Sequence, residues 1–269
     1  MKKYFQNKSF CIGLSLVCFF LTLMLVGFFY LPCDPTATDA NVKFASMSRS
    51  HILGTDHLGR DVLSRLMVGT RISFGIGFVV MFFGGLTGLF LGLISGYMGG
   101  WLDLIVQKII AVQMTFPGIL LALMLIAVFG TDTKITLLAL CLMSLPRFTR
   151  ITRSGVLKCK NALFIKSARA RGAGHFRIMF VHILPNILPE LLVTCSLSFA
   201  LAILSESALS YLGLGIQPPT PSFGRMLNDA QRFIFTDPKG VIIPAVFLSA
   251  LVSAFNLLGD GISEAEGSA

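Results

Sequence analysis

Charge is the scarcest ingredient of this chain. Only 13% of its 269 residues are charged, against about 25% in ordinary soluble domains. A soluble exterior cannot be built from so little. Acidic residues are absent altogether between Asp132 and Glu190, an interval that holds ten basic ones: Lys134, Arg147, Arg150, Arg153, Lys158, Lys160, Lys166, Arg169, Arg171 and Arg177. Spacings that carry chemistry are missing too. Cys11, Cys18, Cys33, Cys141, Cys159 and Cys195 show no CxxC or metal-finger pattern, and most sit in apolar runs. They read as small hydrophobes rather than disulfide partners or ligands. There is no HExxH, no GxxxxGK[ST] and no GxSxG, the signatures of a zinc protease, a nucleotide-binding loop and a hydrolase elbow. No catalytic residue, metal ligand or cofactor is expected here. If ATP is used, another chain must bind it.

What is abundant is hydrocarbon. The chain is 54% hydrophobic with 24 Phe and has a mean hydropathy of +0.79. That composition predicts an all-α protein spanning a cell membrane several times. The net charge of +9 could suggest nucleic acid. Its basic residues border apolar spans, however, and sorting of Lys and Arg to the inner face of a membrane explains them better.

Six spans follow. After Lys2, Lys3 and Lys8, residues 10–31 are apolar, long enough to cross roughly 30 Å of hydrocarbon. No small-residue cleavage site follows, so this is read as a retained anchor with its N-terminus inside. A polar outer segment extends over 32–71. The second span, 72–98, carries Gly84, Gly88, Gly92 and Gly96 on one face, a surface suited to close helix packing in lipid. The third, 101–130, is interrupted at Phe116-Pro117. The fourth, about 135–145, is expected to end at Pro146. The fifth starts near Pro185 and contains Glu190 and Glu206, candidates for interhelical hydrogen bonding or snorkelling as much as for transport. The last covers about 241–258, with a tail at 263–269. Six spans put both termini inside, together with the loop 147–185. The positive charge of that loop demands the same placement independently.

Two stretches stand out. In the outer segment, Gly54-Thr55-Asp56-His57-Leu58-Gly59-Arg60-Asp61 combines turn glycines with Asp56, Arg60 and Asp61, which could pair as a local clasp. His57 beside two aspartates also invites a metal reading, but one His without a second ligand is weak. In the basic loop, residues 161–186 read as helix, glycine break, helix, proline. Asn161 is the expected N-cap, Gly172 the left-handed stop, and Pro185 the start of a new helix. Phe164, Ala168 and Gly172 fall on one face at i, i+4, i+8.

Ala168, Gly172, Leu184 and Pro185 match the spacing of the loop that ABC-importer permeases insert into their ATPase partners. Lys166-Ser167-Ala168 stands where that motif usually has Glu-Ala-Ala, and His182 where it has Ile. The GTDxxGRD pattern and the later LGLGxxPPTPSFG stretch, residues 212–224, are similar to those of peptide- and nickel-importer permeases. The chain thus resembles a permease subunit of the binding-protein-dependent dipeptide/oligopeptide/nickel ABC importers over roughly 50–261. The resemblance implies the type I importer fold, with a permease domain over 72–262. It also implies a heterodimeric partner permease, two cytoplasmic ATPase subunits, an extracytoplasmic solute-binding protein and alternating access. The competing reading is a self-sufficient channel or ion-coupled carrier. Such proteins place charged relays or inverted repeats near the midplane, and neither is evident here.

Overall fold

The computed structural model describes residues 5–267, with side chains as far as Ala265. The expected tail therefore lies partly outside the described residues. Among them there is no strand, only an isolated bridge between Thr55 and Asp61. Among the described residues nine helices longer than one turn stand out. They are α1 Lys8–Phe29, α2 Val62–Met98, α3 Gly100–Thr115, α4 Gly118–Phe129, α5 Thr133–Lys160, α6 Leu163–Ala170, α7 His175–Tyr211, α8 Phe223–Ala230 and α9 Lys239–Gly267. Five are long and apolar enough to cross a membrane alone, and the α3–α4 pair, bent by 85° at its break, makes a sixth candidate. The bundle has two distinct ends. One holds the 54–61 motif, and the other holds α6 and the basic loop.

Several boundaries moved from where the sequence put them. α2 begins at Val62 rather than at 72, because Asp61 accepts a hydrogen bond from Ser64 N at 2.8 Å and caps it. Residues 62–71, which the sequence reading placed in the outer segment, are helical, and their Arg65 is 2% exposed and turned inward. α5 does not stop at Pro146. The proline frees the carbonyl of Leu142, four residues back, and Gln113 Nε2 of α3 donates to it at 2.5 Å. Pro185 falls in the first turn of the α-helical stretch Leu184–Tyr211, as expected, but helical backbone already leads into it. α7 is already running from His175, and a π-helical stretch, Ile178–Ile183, precedes the proline. Asn161 closes α5 instead of capping α6, whose first turn has no side-chain cap.

The glycine stripe of α2 packs on α5 carbonyl by carbonyl. A Cβ at Gly84, Gly88 or Gly92 would lie 2.7, 2.9 or 2.6 Å from the carbonyl oxygens of Cys141, Leu145 or Thr149. Both helices repeat every four residues, so the two backbones stay in contact along several turns. At the motif end Phe20, Leu66, Ile203, Phe223 and Leu251 form one buried cluster. At the basic end Leu93, Val156, Ile165, Ile178 and Ile183 form another.

Candidate functional site

At the basic end the short helix α6 is docked on its own bundle. Ile165 and Ala168 are 1% and 2% exposed, so one edge of α6 belongs to the core. Of the face that the i, i+4, i+8 spacing groups, Ala168 is buried while Phe164 and Gly172 stand exposed. Lys166, Ser167 and Arg169 face out, together with Leu163 at 80%, Phe164 at 43% and Phe176 at 76% exposed. The helix ends as a Schellman motif: Ala173 N–H donates to Ala168 O at 3.1 Å and Gly172 N–H to Arg169 O at 3.0 Å. Gly172 has φ +81°, and no atom would meet a Cβ placed there. Beyond it, His175 Nδ1 lies 3.0 Å from the Tyr97 hydroxyl at the end of α2. His182 and Leu184 are half-buried and Pro185 exposed; the His182 carbonyl accepts from Asn186 Nδ2 at 2.6 Å.

At the opposite end the 54–61 motif folds as a clasp, with a membership that sequence proximity did not show. Gly54 and Gly59 both have φ +78°. Thr55 bonds the loop across the turn, its hydroxyl donating to Val42 O and accepting from Ala45 N at 2.9 Å. Asp56 accepts from Arg60 Nε at 2.6 Å, and Arg60 Nη2 donates to Asp229 Oδ2 at 3.0 Å. Arg65 stands 3.7 Å from Asp56 and 3.4 Å from Asp229, while Arg225 Nε lies 3.1 Å from Asp229 Oδ1. Asp61 takes no part. It caps α2 with one oxygen and lies 3.0 Å from His51 Nδ1 with the other. Among the described residues His57 joins no ligand cluster. Its ring stacks on Phe233, centroids 5.1 Å apart, and burial, with Arg60 adding to it and Asp56 opposing, lowers its pKa below the ordinary value.

The clasp thus ties the head of α2 to α8. Ser222 caps α8, accepting from Arg225 N at 3.3 Å. Behind that turn Glu206 is fully buried, and Ser210 Oγ donates to it at 2.6 Å. It does not snorkel. Glu190 does find a cation, Lys158 of α5, at 2.9 Å.

Between the ends, the α3–α4 bend opposes α5 across a concavity of about 960 Å³ lined by Gln107, Phe116, Pro117, Met143, Arg147 and Arg150. Arg153, one turn further on, is held by Asp103 at 2.6 and 2.7 Å. Arg147 and Arg150 have no carboxylate within ion-pair distance among the described residues, and Arg147 also borders two neighbouring concavities. A guanidinium on a helix of membrane-spanning length and composition faces water, a partner or a solute rather than lipid.

Residues 88–265 match the profile of the binding-protein-dependent transport system inner membrane component. The chain belongs to that family. It is 35% identical to a dipeptide transport system permease of Alkalihalophilus pseudofirmus, over 98% of this chain and 87% of the relative. It is also 41% identical to a glutathione transport system permease of Pectobacterium atrosepticum, over 81% of this chain and 72% of the relative. In structure it resembles a chain of the methionine ABC transporter in inward-facing conformations, with a TM-score of 0.61 at 20% identity, covering 76% of this chain and 96% of that one. The fold is that of a type I ABC importer permease, and the chain is a permease subunit of an ATP-driven importer. A stand-alone carrier or channel is thereby set aside.

Proposed function

We propose that this permease carries small peptides as one half of a heterodimer, by alternating access. Two cytoplasmic ATPase subunits drive it, and a solute-binding protein serves it from outside. In this reading the basic end and both termini face the cytoplasm, and the 54–61 motif faces the binding protein. No bond chemistry falls to this chain.

The observation that carries the reading is the construction of α6. Ile165 and Ala168 root it in the bundle, while Leu163, Phe164 and Phe176 stand exposed among Lys166, Arg169 and Arg171. A rigid, rooted knob with an apolar tip transmits the movement of whatever grips it. Lys166, Ser167 and Gly172 present its outer surface, and His182, Leu184 and Pro185 join it to α7. The peptide assignment rests on the dipeptide- and glutathione-permease relatives; nickel has no counterpart among the relatives named above. Arg147 and Arg150, facing the 960 Å³ concavity, suit a solute bearing a carboxylate.

Reconstitution with its ATPases and binding protein in proteoliposomes tests this. Peptide-loaded binding protein should stimulate ATP hydrolysis, and labelled dipeptide should accumulate only with ATP. Accumulation driven by an ion gradient without ATPase subunits would overturn the reading. In a chain cleared of native cysteines, an impermeant thiol label should reach position 57 from outside but not position 169.

A further inference from the structure

The motif end brings together three side chains that the sequence scatters. Cys33 Sγ, a ring nitrogen of His51 and a carboxylate oxygen of Asp61 all lie within 4.8 Å of one another. We propose that they form a binding site for a divalent transition-metal ion of the zinc class, on the segment that precedes α2.

The donor set decides the class. A thiolate, an imidazole and a carboxylate are the ligands zinc takes, whereas calcium and magnesium take oxygen. Thiolate and carboxylate together supply two negative charges, which cancel those of the ion. Three protein ligands leave a fourth position for water.

The geometry is close to what a tetrahedral ion needs. His51 Nδ1 and Asp61 Oδ1 are 3.0 Å apart. Two such donors bound to one zinc would be separated by about 3.3 Å. The thiol must close in further, and Cys33 has little to hold it back, its Sγ being 3.8 Å from Ser50 O.

The ligands are also held from behind, as metal ligands are. Ser64 is the common support. Its amide and hydroxyl both donate to Asp61 Oδ2 at 2.8 Å, which leaves Oδ1 for the ion. Its hydroxyl oxygen accepts from the Cys33 amide at 3.0 Å. The His51 backbone is fixed by Ser48 N and Gly54 N, which donate to its carbonyl at 2.9 and 3.0 Å. A carboxylate only 1% exposed, beside a histidine at 20%, is the setting in which a cation is retained. The bland account is a His51–Asp61 hydrogen bond with Cys33 as bystander. It explains one pair, but not why the support of Asp61 also positions Cys33.

The test uses the full chain in detergent, with its partner permease if required, reduced and stripped by chelator. Cobalt(II) should bind at one equivalent, give a thiolate-to-cobalt charge-transfer band in the near ultraviolet, and be displaced by zinc. Cys33→Ser should abolish that band, and His51→Gln should weaken binding. Ser64→Ala, touching no metal, should lower affinity about 10- to 100-fold. Asp61 is left intact because it caps α2. Independently, zinc should shield Cys33 of the wild-type chain from maleimide, as located by mass spectrometry, which removes any dependence on the folding of a variant. Absence of stoichiometric binding, a band that survives Cys33→Ser, or maleimide labelling of Cys33 unchanged by zinc would overturn the proposal. None of these outcomes bears on the importer reading.

Discussion

Asp56, Arg60, Arg65 and Asp229 at the motif end keep between 2% and 17% of their side-chain surface in solvent, and they answer one another across elements distant in sequence. Lys166, Ser167, Arg169 and Arg171 at the basic end stand exposed with no carboxylate partner among the described residues. Yet the backbone of the second region is no less defined, since Ile165 and Ala168 anchor it and a Schellman turn ends it. The difference lies in where the fixing forces sit. At the motif end, charged side chains hold the loop to the bundle. At the basic end, two apolar side chains do so, and the outward charged groups take no part in it. Charge should therefore govern stability at the first end and communication at the second.

The largest effect should come from Arg65→Ala. Arg65 is 2% exposed and faces both Asp56 and Asp229. Truncating it empties a fully buried site and takes a cation from beside both carboxylates, which Arg60 and Arg225 still neutralise, at a cost of about 3 kcal/mol. Membrane abundance and thermal midpoint should fall together. A variant with full abundance and an unchanged midpoint, but without binding-protein docking, would make the clasp a recognition surface instead.

Gly172→Val should leave abundance intact and remove uptake. The residue sits at φ +81° with open space around it, so the penalty, about 1–2 kcal/mol, is one of backbone conformation and not of added bulk. It should redirect the chain after α6, and fewer ATPase subunits should be retained on purification. Ala168→Arg makes the contrast sharper. Ala168 is buried in this chain's own core, so that variant should lose the rooting of α6 and lower abundance as well. Undiminished uptake by Gly172→Val would break the comparison at this end.

These contrasts also mark what the sequence made legible. The Gly84–Gly96 stripe, the break at Pro117 and the Gly172 stop depend on neighbours a few residues away, and they could be read directly. The fate of Pro146 depends on Gln113, 29 residues earlier in sequence, and no local pattern announces it. Asp61 was grouped with Asp56 and Arg60 because it adjoins them. It separates because it is the residue where α2 begins, so that its carboxylate turns to Ser64 and His51. Cys33, His51 and Asp61 have no motif spacing. Their convergence is made by the fold of the segment between α1 and α2.

A smaller effect is expected from acid. Because the pKa of His57 is lowered from its ordinary 6.5, the folded state binds its proton less readily than the unfolded chain does. His57 therefore carries no penalty at pH values well above 6.5. Stability should decline as the pH falls below that value and through the folded pKa. His57→Phe keeps the ring stacked on Phe233 and should flatten this part of the profile. The thermal midpoint measured from pH 7.5 to 5 checks it. Equal slopes for both proteins would place the acid sensitivity elsewhere.

The smallest effect should come from Glu190→Gln. Glu190 meets Lys158 at 2.9 Å, which on distance alone rivals the contacts of the clasp. The side chains are 67% exposed for Lys158 and 47% for Glu190, however, so water and salt screen the attraction, and holding two long side chains together costs entropy. An exposed pair of this kind contributes about 0–1 kcal/mol. The clasp and this pair thus offer similar distances in opposite surroundings. If burial is what separates them, Glu190→Gln should shift the thermal midpoint by no more than about 4 °C, and raising the salt concentration should erase most of that shift. A loss comparable to that of Arg65→Ala, persisting at high salt, would show that the exposed pair is shielded by something outside this chain. A partner permease covering the α5–α7 groove would be the first candidate, since Lys158 and Glu190 line a concavity of about 770 Å³ there. Repeating the measurement on the chain with and without its partner would then assign the shielding.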